Sequence, residues 1–344
     1  MELELPAFRR QLLDEIHLAR QAGAGPYLHL LYTPELHDPL DLTGDTRRLS
    51  AIIYPPMRLQ AAAVRREKAP RLITLDCSRV APYLLETDPA LDDPAFEASI
   101  TQSHAEICSG QIRDKLVQND EDVLSEFSVA GWFVSKEDAA TLALRLNSFS
   151  IQRRSWVPWT HAACVHALWP TMNDAQRGAL LGASTWLALN LQGRLCRYVA
   201  PVEQVVGDAG SFSRTQWSGG ADNAAFDARQ VRIARNVQLV NDLMLSFYSM
   251  CQSEGRPLPG NTEQLLHAHV LAAQDHGLDA DSVAMYVMTI VQLKKGADDD
   301  AEWKTTMRGA ADQGFALRDR LALLSDRFWE RYVPHDIQRD IQIA

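Results

Sequence analysis

The sequence predicts an α/β (α+β) N-terminal domain followed by an all-α C-terminal domain. Three observations lead to this fold class. Up to Ala200, short apolar runs typical of strands alternate with segments whose apolar residues recur at helical spacing. After Pro201 the composition changes, and residues 207–222 are rich in glycine, serine and alanine, as in an exposed linker. Beyond this stretch the helical spacing continues almost to the end, so we expect domains at residues 1–205 and 222–344.

The first elements follow from apolar spacing and from helix breakers. Residues 5–22 are predicted to form an amphipathic helix that Gly23 and the Gly25-Pro26 pair end. Four apolar residues share one face of this helix: Phe8, Leu12, Ile16 and Ala19. The further elements predicted before residue 128 are strands at 27–32, 51–54 and 72–75, a helix at 58–67 and one or two helices within 92–116.

Residues 131–200 are the densest apolar block and hold five of the eight tryptophans. A strand is predicted at 128–134, and Ser135, with Asp138 three residues later, is predicted to cap a helix that runs from about residue 136 to 146. Four elements are then expected: a strand at 155–159, a short helix at 161–169, a helix capped at residues 173–174 that stops at Gly182, and a hairpin of 185–189 with 194–198.

After residue 222 the pattern is helical. Helices are predicted at residues 223–253, 262–275, 280–295 and 299–332. The first carries an apolar stripe that we interpret partly as domain core and partly as a surface for a partner: Ile233, Val237, Val240, Met244 and Phe247.

A series of short motifs within residues 131–200 resembles the DUF4123 domain, found in adaptor or chaperone proteins of the bacterial type VI secretion system. Family members show a Gly-Trp strand that leads into a helix, and later a short helix, a Leu-Trp-Pro, a Gln-Arg pair, a leucine-glycine stop, a tryptophan and a glycine. Where members carry Asp-Pro-Arg, at the entry to the short helix, this chain has His161-Ala162-Ala163. The matching residues are Gly131-Trp132, Leu168-Trp169-Pro170, Gln176-Arg177, Leu180-Leu181-Gly182, Trp186 and Gly193.

The resemblance implies a function and its partners. It implies a non-enzymatic adaptor or chaperone that holds a toxic protein effector in the cytoplasm and delivers it to the spike (VgrG-like) protein of the secretion apparatus. Neither a catalytic residue nor a cofactor nor a metal site is expected for such a protein. Large, partly apolar surfaces are expected in place of a polar pocket.

Composition agrees with a cytoplasmic protein. The 344 residues are 46% hydrophobic and 23% charged, as in a soluble globular protein. No apolar run approaches the roughly 20 residues needed to span a bilayer, and the acidic N-terminus does not resemble a signal peptide. Five scattered cysteines without a CxxC pair are predicted to be reduced. The net charge of -10 argues against a nucleic-acid partner, and no membrane partner is expected.

The negative charge is concentrated in residues 84–127, which hold eleven acidic residues against two basic ones. A solvated helical face and linker is the simpler interpretation of this segment. A docking surface for a basic partner is the alternative.

Several groups of polar residues were weighed as sites of chemistry. His161, Cys164 and His166 come nearest to a ligand cluster, but helical spacing places His166 away from the other two and favours core packing. His267 and His269, two residues apart on a predicted helix, also point to different faces.

Two loop segments also lack the pattern of a ligand site. The acidic residues 298–302 lack the glycine and alternation of a calcium loop, and a helix N-terminus explains their charge. Residues 207–211 lack the lysine of a phosphate-binding loop.

Candidate partner-binding residues lie around the domain boundary. Trp217 sits in the glycine- and serine-rich stretch, and Arg229, Arg232 and Arg235 share a face of the first long helix. The arginines are interpreted either as a solvated stripe or as a contact for an acidic partner. We expect the helical domain to recognise one effector and the α/β domain to make the more general contact. The alternative function is a hydrolase or transferase with a site between the two domains and His161 or His166 as base.

Overall fold

The chain divides into two compact units, Met1–Arg235 and Asn236–Ala344. The computed structural model describes residues 4–34, 37–43, 50–52, 70–75, 91–108, 128–152, 155–156, 162–190, 193–201, 225–313 and 317–333. Over these ranges the first unit combines helices with antiparallel β-sheet, and the second is built from helices. The N-terminal part is therefore of mixed α and antiparallel β class, and helices fill the C-terminal half.

The helices and strands of the first unit follow the predicted order closely. They are α1 (Leu5–Gln21), β1 (Tyr27–Tyr32), α2 (Pro39–Thr43), β2 (Ser50–Ile52), β3 (Arg71–Leu75), α3 (Pro94–Cys108), β4 (Val129–Ser135), α4 (Ala139–Ser150), β5 (Ile151–Gln152), β6 (Ser155–Trp156), α5 (Ala162–Leu168), α6 (Asp174–Leu181), β7 (Thr185–Leu189), β8 (Leu195–Val199) and α7 (Ala228–Arg235). A 3₁₀ turn, Trp169–Thr171, joins α5 to the loop before α6. The short helix α2 was not predicted, because its Pro- and Asp-rich sequence reads as a loop.

Six of these strands form one sheet in the order β2-β3-β1-β4-β7-β8, and every neighbouring pair is antiparallel. Across the sheet, Leu30 of β1 pairs with Trp132 of β4 and Trp132 pairs with Leu187 of β7. Leu187 in turn pairs with Arg197 of β8. The predicted hairpin is confirmed as β7 and β8. The strand order had been left open by the sequence.

One face of the sheet packs against α1 and α3. The four apolar residues predicted to share a face of α1 are all buried in this core. Because successive side chains of a strand point to opposite faces of the sheet, only every second strand residue contributes to this core. The strand residues of this core include Leu28, Leu30, Tyr32, Trp132, Val134, Leu187 and Leu189.

Local capping residues explain where two helices begin. The prediction that Ser135 caps α4 is wrong: Asp138 accepts a hydrogen bond from the Thr141 N–H at 2.7 Å, whereas the Ser135 hydroxyl bonds the Glu137 N–H. The strand extends through Ser135 and delays the helix to Ala139. The prediction for α6 is confirmed, since Asn173 caps it and Gly182, at φ 57°, ends it.

The predicted helix 262–275 is confirmed as α9, whereas the other helices predicted after residue 222 are shorter in the structure. The helices of the second unit are α8 (Val237–Ser253), α9 (Thr262–Asp275), α10 (Ala280–Ile290), α11 (Ala301–Gln313), α12 (Leu317–Leu321) and α13 (Asp326–Tyr332). The predicted helix 223–253 is interrupted at Asn236, whose side-chain amide exchanges hydrogen bonds with Gln274 of α9 at 2.9 and 3.1 Å. The predicted helix 299–332 is three helices, the last of them capped by Ser325.

The apolar stripe of the predicted first long helix is buried along its whole length. Ile233 lies in the first unit and the other four members in the second, and none is more than 7% exposed. Within the described ranges, no helix has the length and apolar character to cross a membrane.

Several predictions fall outside the described residues. They are the helix at 58–67, the linker at 207–222, Trp217, His161, and the parts of the acidic segment at 84–90 and 109–127.

Candidate functional site

The three predicted arginines lie on α7. This helix buries Gln230, Ile233 and Ala234 on one side. Arg229 and Arg235 are exposed, and Arg232 is half-buried. The helix therefore packs through one face and presents the arginines away from it, as an amphipathic surface helix does.

A pair of buried glutamines fixes α7 to the rest of the first unit. The Gln176 Nε2 donates to the Gln230 Oε1, and the Gln230 Nε2 donates to the Gln176 Oε1, both at 2.9 Å. Each amide also donates to a backbone carbonyl at 2.8 Å, from Gln176 to Ala225 and from Gln230 to Thr171. Both side chains are 3% exposed, so these bonds satisfy amides that would be costly to bury alone.

The same two glutamines complete the N-terminal caps of their helices. Gln176 forms a capping box with Asn173 at the start of α6. Gln230 does the same with Asp227 at the start of α7, where each side chain bonds the other residue's backbone N–H at 2.7 and 3.0 Å. The repeated spacing of a cap residue and a glutamine three positions later is visible in the sequence, but the pairing of the two boxes is not.

Trp169 lies beside this junction, on the 3₁₀ turn that carries the Thr171 carbonyl. The Arg177 guanidinium lies 5.3 Å from the Trp169 ring centre, and its Nη2 donates to the Trp169 carbonyl at 3.0 Å. Tyr198 meets the same ring edge-on at 5.1 Å. Trp169 is half-buried, so part of a tightly held indole faces solvent.

The turn that carries Trp169 meets α7 through Thr171 and Gln230, and we call the exposed and half-buried residues on the two sides of this junction the Trp169–α7 surface: Trp169, Arg177, Arg229, Arg232 and Arg235. Tryptophan and arginine are the residues most enriched at the energetic centres of protein interfaces. Four of the five are arginines, one of which, Arg177, pairs with Asp174 at 3.5 Å.

An aromatic cluster beneath Trp169 connects it to the sheet. Trp186 stacks on Phe133 with 4.6 Å between ring centres and meets Tyr198 edge-on at 6.3 Å. The Trp186 Nε1 donates to the Ala130 carbonyl at 3.3 Å. A Cβ on Gly131, at φ 146°, would lie 2.4 Å from the Trp186 Nε1, so only glycine fits there.

His166 belongs to this cluster and has the environment of a core histidine. Burial lowers its pKa to about 4, although a backbone hydrogen bond with Leu189 opposes the shift. The Tyr198 hydroxyl is hydrogen-bonded to its Nδ1. The ring is hydrogen-bonded to both Tyr198 and the Leu189 backbone, which favours a packing role over that of a general base. Cys164 is buried nearby on α5, and the described residues contain no group of three histidine, cysteine or acidic side chains able to hold a metal.

His267 is buried on α9, and Glu263, one turn before it, is half-buried. Glu263 precedes His267 by four residues, which places the two on one helix face. Burial raises the pKa of Glu263 to about 7 and lowers that of His267 to about 4. Among the described residues, the Glu263 Oε1 and the His267 Nδ1 have no hydrogen-bond partner. His269, predicted to face elsewhere, is half-buried.

The acidic residues 298–302 hold helices together. Asp300 caps α11 by accepting from the Glu302 N–H at 2.8 Å, and its other oxygen bonds the Tyr332 hydroxyl at 3.0 Å. Glu302 accepts from the Ser325 N–H and hydroxyl at the start of α13. Asp299 pairs with Lys304. These contacts explain the acidic cluster as part of a helix N-terminus, as the sequence suggested.

The described part of the acidic segment also has internal roles. Asp93 accepts from the Ala95 N–H at the start of α3, and Glu97 pairs with Arg9 of α1 at 2.6 Å. Glu106 is 6% exposed and accepts from the Ser128 hydroxyl and N–H. Three of its acids are thus tied to neighbouring backbone or side chains, which leaves less charge for a basic partner.

No family model, curated protein or solved structure matches this chain. The likeness to DUF4123 therefore depends on the motif residues themselves.

Proposed function

We propose that this protein is a cytoplasmic adaptor or chaperone of a type VI secretion system, which binds a toxic effector and loads it onto the VgrG-like spike protein. In this proposal an α/β domain is followed by a separate all-α domain. Support comes from the motif residues, which contact one another in the folded unit. Gly131 packs on Trp186, and Arg177 stacks on Trp169.

The observation that carries the proposal is the Trp169–α7 surface. It offers a clamped indole and outward arginines, which is the chemistry of a protein contact. The buried junction of Gln176 and Gln230 holds α7 beside Trp169, so the contact is formed before a partner arrives. A preformed surface loses less conformational entropy on binding.

Recognition of one particular effector is assigned to the helical unit, but not to the apolar stripe. Because Val237, Val240, Met244 and Phe247 are buried, they are not free as anchors. Exposed apolar side chains of this unit include Met285 and Leu323, at 42% and 75% exposure. Truncation after Arg235 tests the division: a fragment of residues 1–235 that binds the effector as tightly as the whole chain contradicts it.

The principal experiment is purification with the effector and spike encoded beside this chain. We expect a complex stable to size-exclusion chromatography, and failure to bind either protein at micromolar concentration would refute the proposal. The double variant Arg229→Glu/Arg235→Glu should weaken the complex at least tenfold. Arg10→Glu, at an exposed arginine of α1 in the first unit, makes the same type of charge reversal outside the Trp169–α7 surface and is the control.

A further inference from the structure

The strand β8 lies at one edge of the six-stranded sheet. Within the described residues it pairs with β7 alone. Open edges present unpaired backbone groups that can add a strand from another chain. The geometry of this edge defines which groups are free and what they face.

The hydrogen-bond pattern of the hairpin identifies the outward groups. The Asn190 N–H donates to the Arg194 carbonyl at 2.9 Å, so the bonded positions of β8 are every second residue from there, Cys196 and Tyr198. The backbone groups of Leu195, Arg197 and Val199 therefore point away from β7. None of the hydrogen bonds found among the described residues uses them.

The two sides of this edge are different. On one side, Arg197 contacts Glu15 of α1 at 3.4 Å, with its side chain 45% exposed. Val199, two residues on, is 42% exposed, and Leu18, one turn beyond Glu15, is 47% exposed. Val199 and Leu18 lie at the same end of the sheet. Val199 is at the end of β8, which lies opposite the start of β7, and Leu18 is near the end of α1, just before β1 begins. On the other side, Tyr198 packs against Trp169 of the Trp169–α7 surface.

Charge decides which occupant fits. Arg194 and Arg197 are both exposed along the edge. A second copy of this chain paired antiparallel about Arg197 would place two arginines opposite each other, which is unfavourable in a sheet. A guanidinium has five N–H donors, so Arg197 can donate to a carboxylate on the added strand beside its contact with Glu15, and an apolar residue opposite Val199 would cover that exposed side chain.

We propose that the β8 edge binds an extended segment of a partner protein by strand addition, with an acidic residue facing Arg197 and an apolar residue two positions away facing Val199 and Leu18. The proposal rests on the proposed function, because the partner is then the effector or the spike. The edge is continuous with the Trp169–α7 surface through Tyr198, so one partner can occupy both.

The experiment uses the full chain and a fluorescein-labelled peptide, Thr-Ile-Thr-Glu-Thr-Val-Thr, with a second peptide in which lysine replaces glutamate. We expect saturable binding of the glutamate peptide by fluorescence anisotropy, at least tenfold tighter than the lysine peptide. Arg197→Glu should reverse this preference, whereas Arg318→Glu should preserve it. Amide hydrogen exchange at Leu195, Arg197 and Val199 should slow at least tenfold when the glutamate peptide is bound.

Three results would overturn the strand-addition site. They are no saturable binding at millimolar peptide, equal affinity for the two peptides, and slow exchange of the three amides in the free protein, whether a second copy or a segment of its own chain covers them. If the peptide binds as expected but neither effector nor spike does, the edge site stands and the secretion function fails. If both proteins bind unchanged to Arg197→Glu, the function stands and the edge site fails.

Discussion

At the residue scale, Glu263 and His267 link the stability of the helical unit to pH. Burial raises the pKa of Glu263 from 4.5 to about 7, so the folded chain binds more protons than the unfolded chain in this range. The free energy of unfolding therefore falls as pH rises from 4.5 to 7. His267, whose pKa falls from 6.5 to about 4, acts in the opposite direction, and stability falls as pH drops through that range. The two effects largely offset each other between pH 4.5 and 6.5.

Glu263→Gln should separate these opposing effects. We expect the variant to exceed the parent in free energy of unfolding above pH 7, by up to about 3 kcal/mol, because the cost of burying a charged carboxylate is gone. The difference should disappear below pH 4.5. Urea unfolding followed by circular dichroism from pH 4 to 8 measures it, with the exposed Glu330→Gln as control. A difference that stays constant with pH would contradict the assignment.

At the scale of elements, α7 depends on the Gln176–Gln230 junction. Gln230→Ala removes four hydrogen bonds of the Gln230 amide, two with Gln176 and one each with Thr171 and Asp227. The substitution also leaves the buried Gln176 amide without the hydrogen bonds that it makes to Gln230. We expect a loss of about 1–3 kcal/mol in the free energy of unfolding. Amide exchange over residues 228–235 should become faster, because α7 detaches more readily.

Arg229→Ala is the matched control, since it lies on the same helix with an exposed side chain. It should leave both the free energy of unfolding and exchange in α7 nearly unchanged. Unaltered exchange in Gln230→Ala would mean that apolar contacts alone, such as those of Ile233, hold α7 in place.

At the scale of the whole molecule, the division between the compact units lies at Arg235 and Asn236, one helix beyond the predicted linker. A fragment of residues 1–235 keeps α7 over Gln176, whereas a fragment of residues 1–205 lacks it. We expect the longer fragment to melt about 5 °C or more above the shorter one, by differential scanning calorimetry. Equal melting temperatures would show that α7 contributes little to the first unit.

Local signals account for what the sequence predicted well. The apolar face of α1, the cap of α6 at Asn173 and the β7–β8 hairpin were all predicted, because spacing, cap residues and turns act over a few neighbouring residues. The bounds of α9 were also predicted correctly.

Long-range contacts account for what only the tertiary structure decided. Asn236 interrupts a helix that its own sequence would continue, because its amide bonds Gln274. The order of the six strands and the pairing of Gln176 with Gln230, 54 residues apart, depend on surfaces brought together by folding. By itself the sequence determined the apolar face of α1, the bounds of α9 and the β7–β8 hairpin, but not α2 or the breaks within the two longest predicted helices. The fold decided which faces are covered, since burial depends on contacts between residues far apart in the chain.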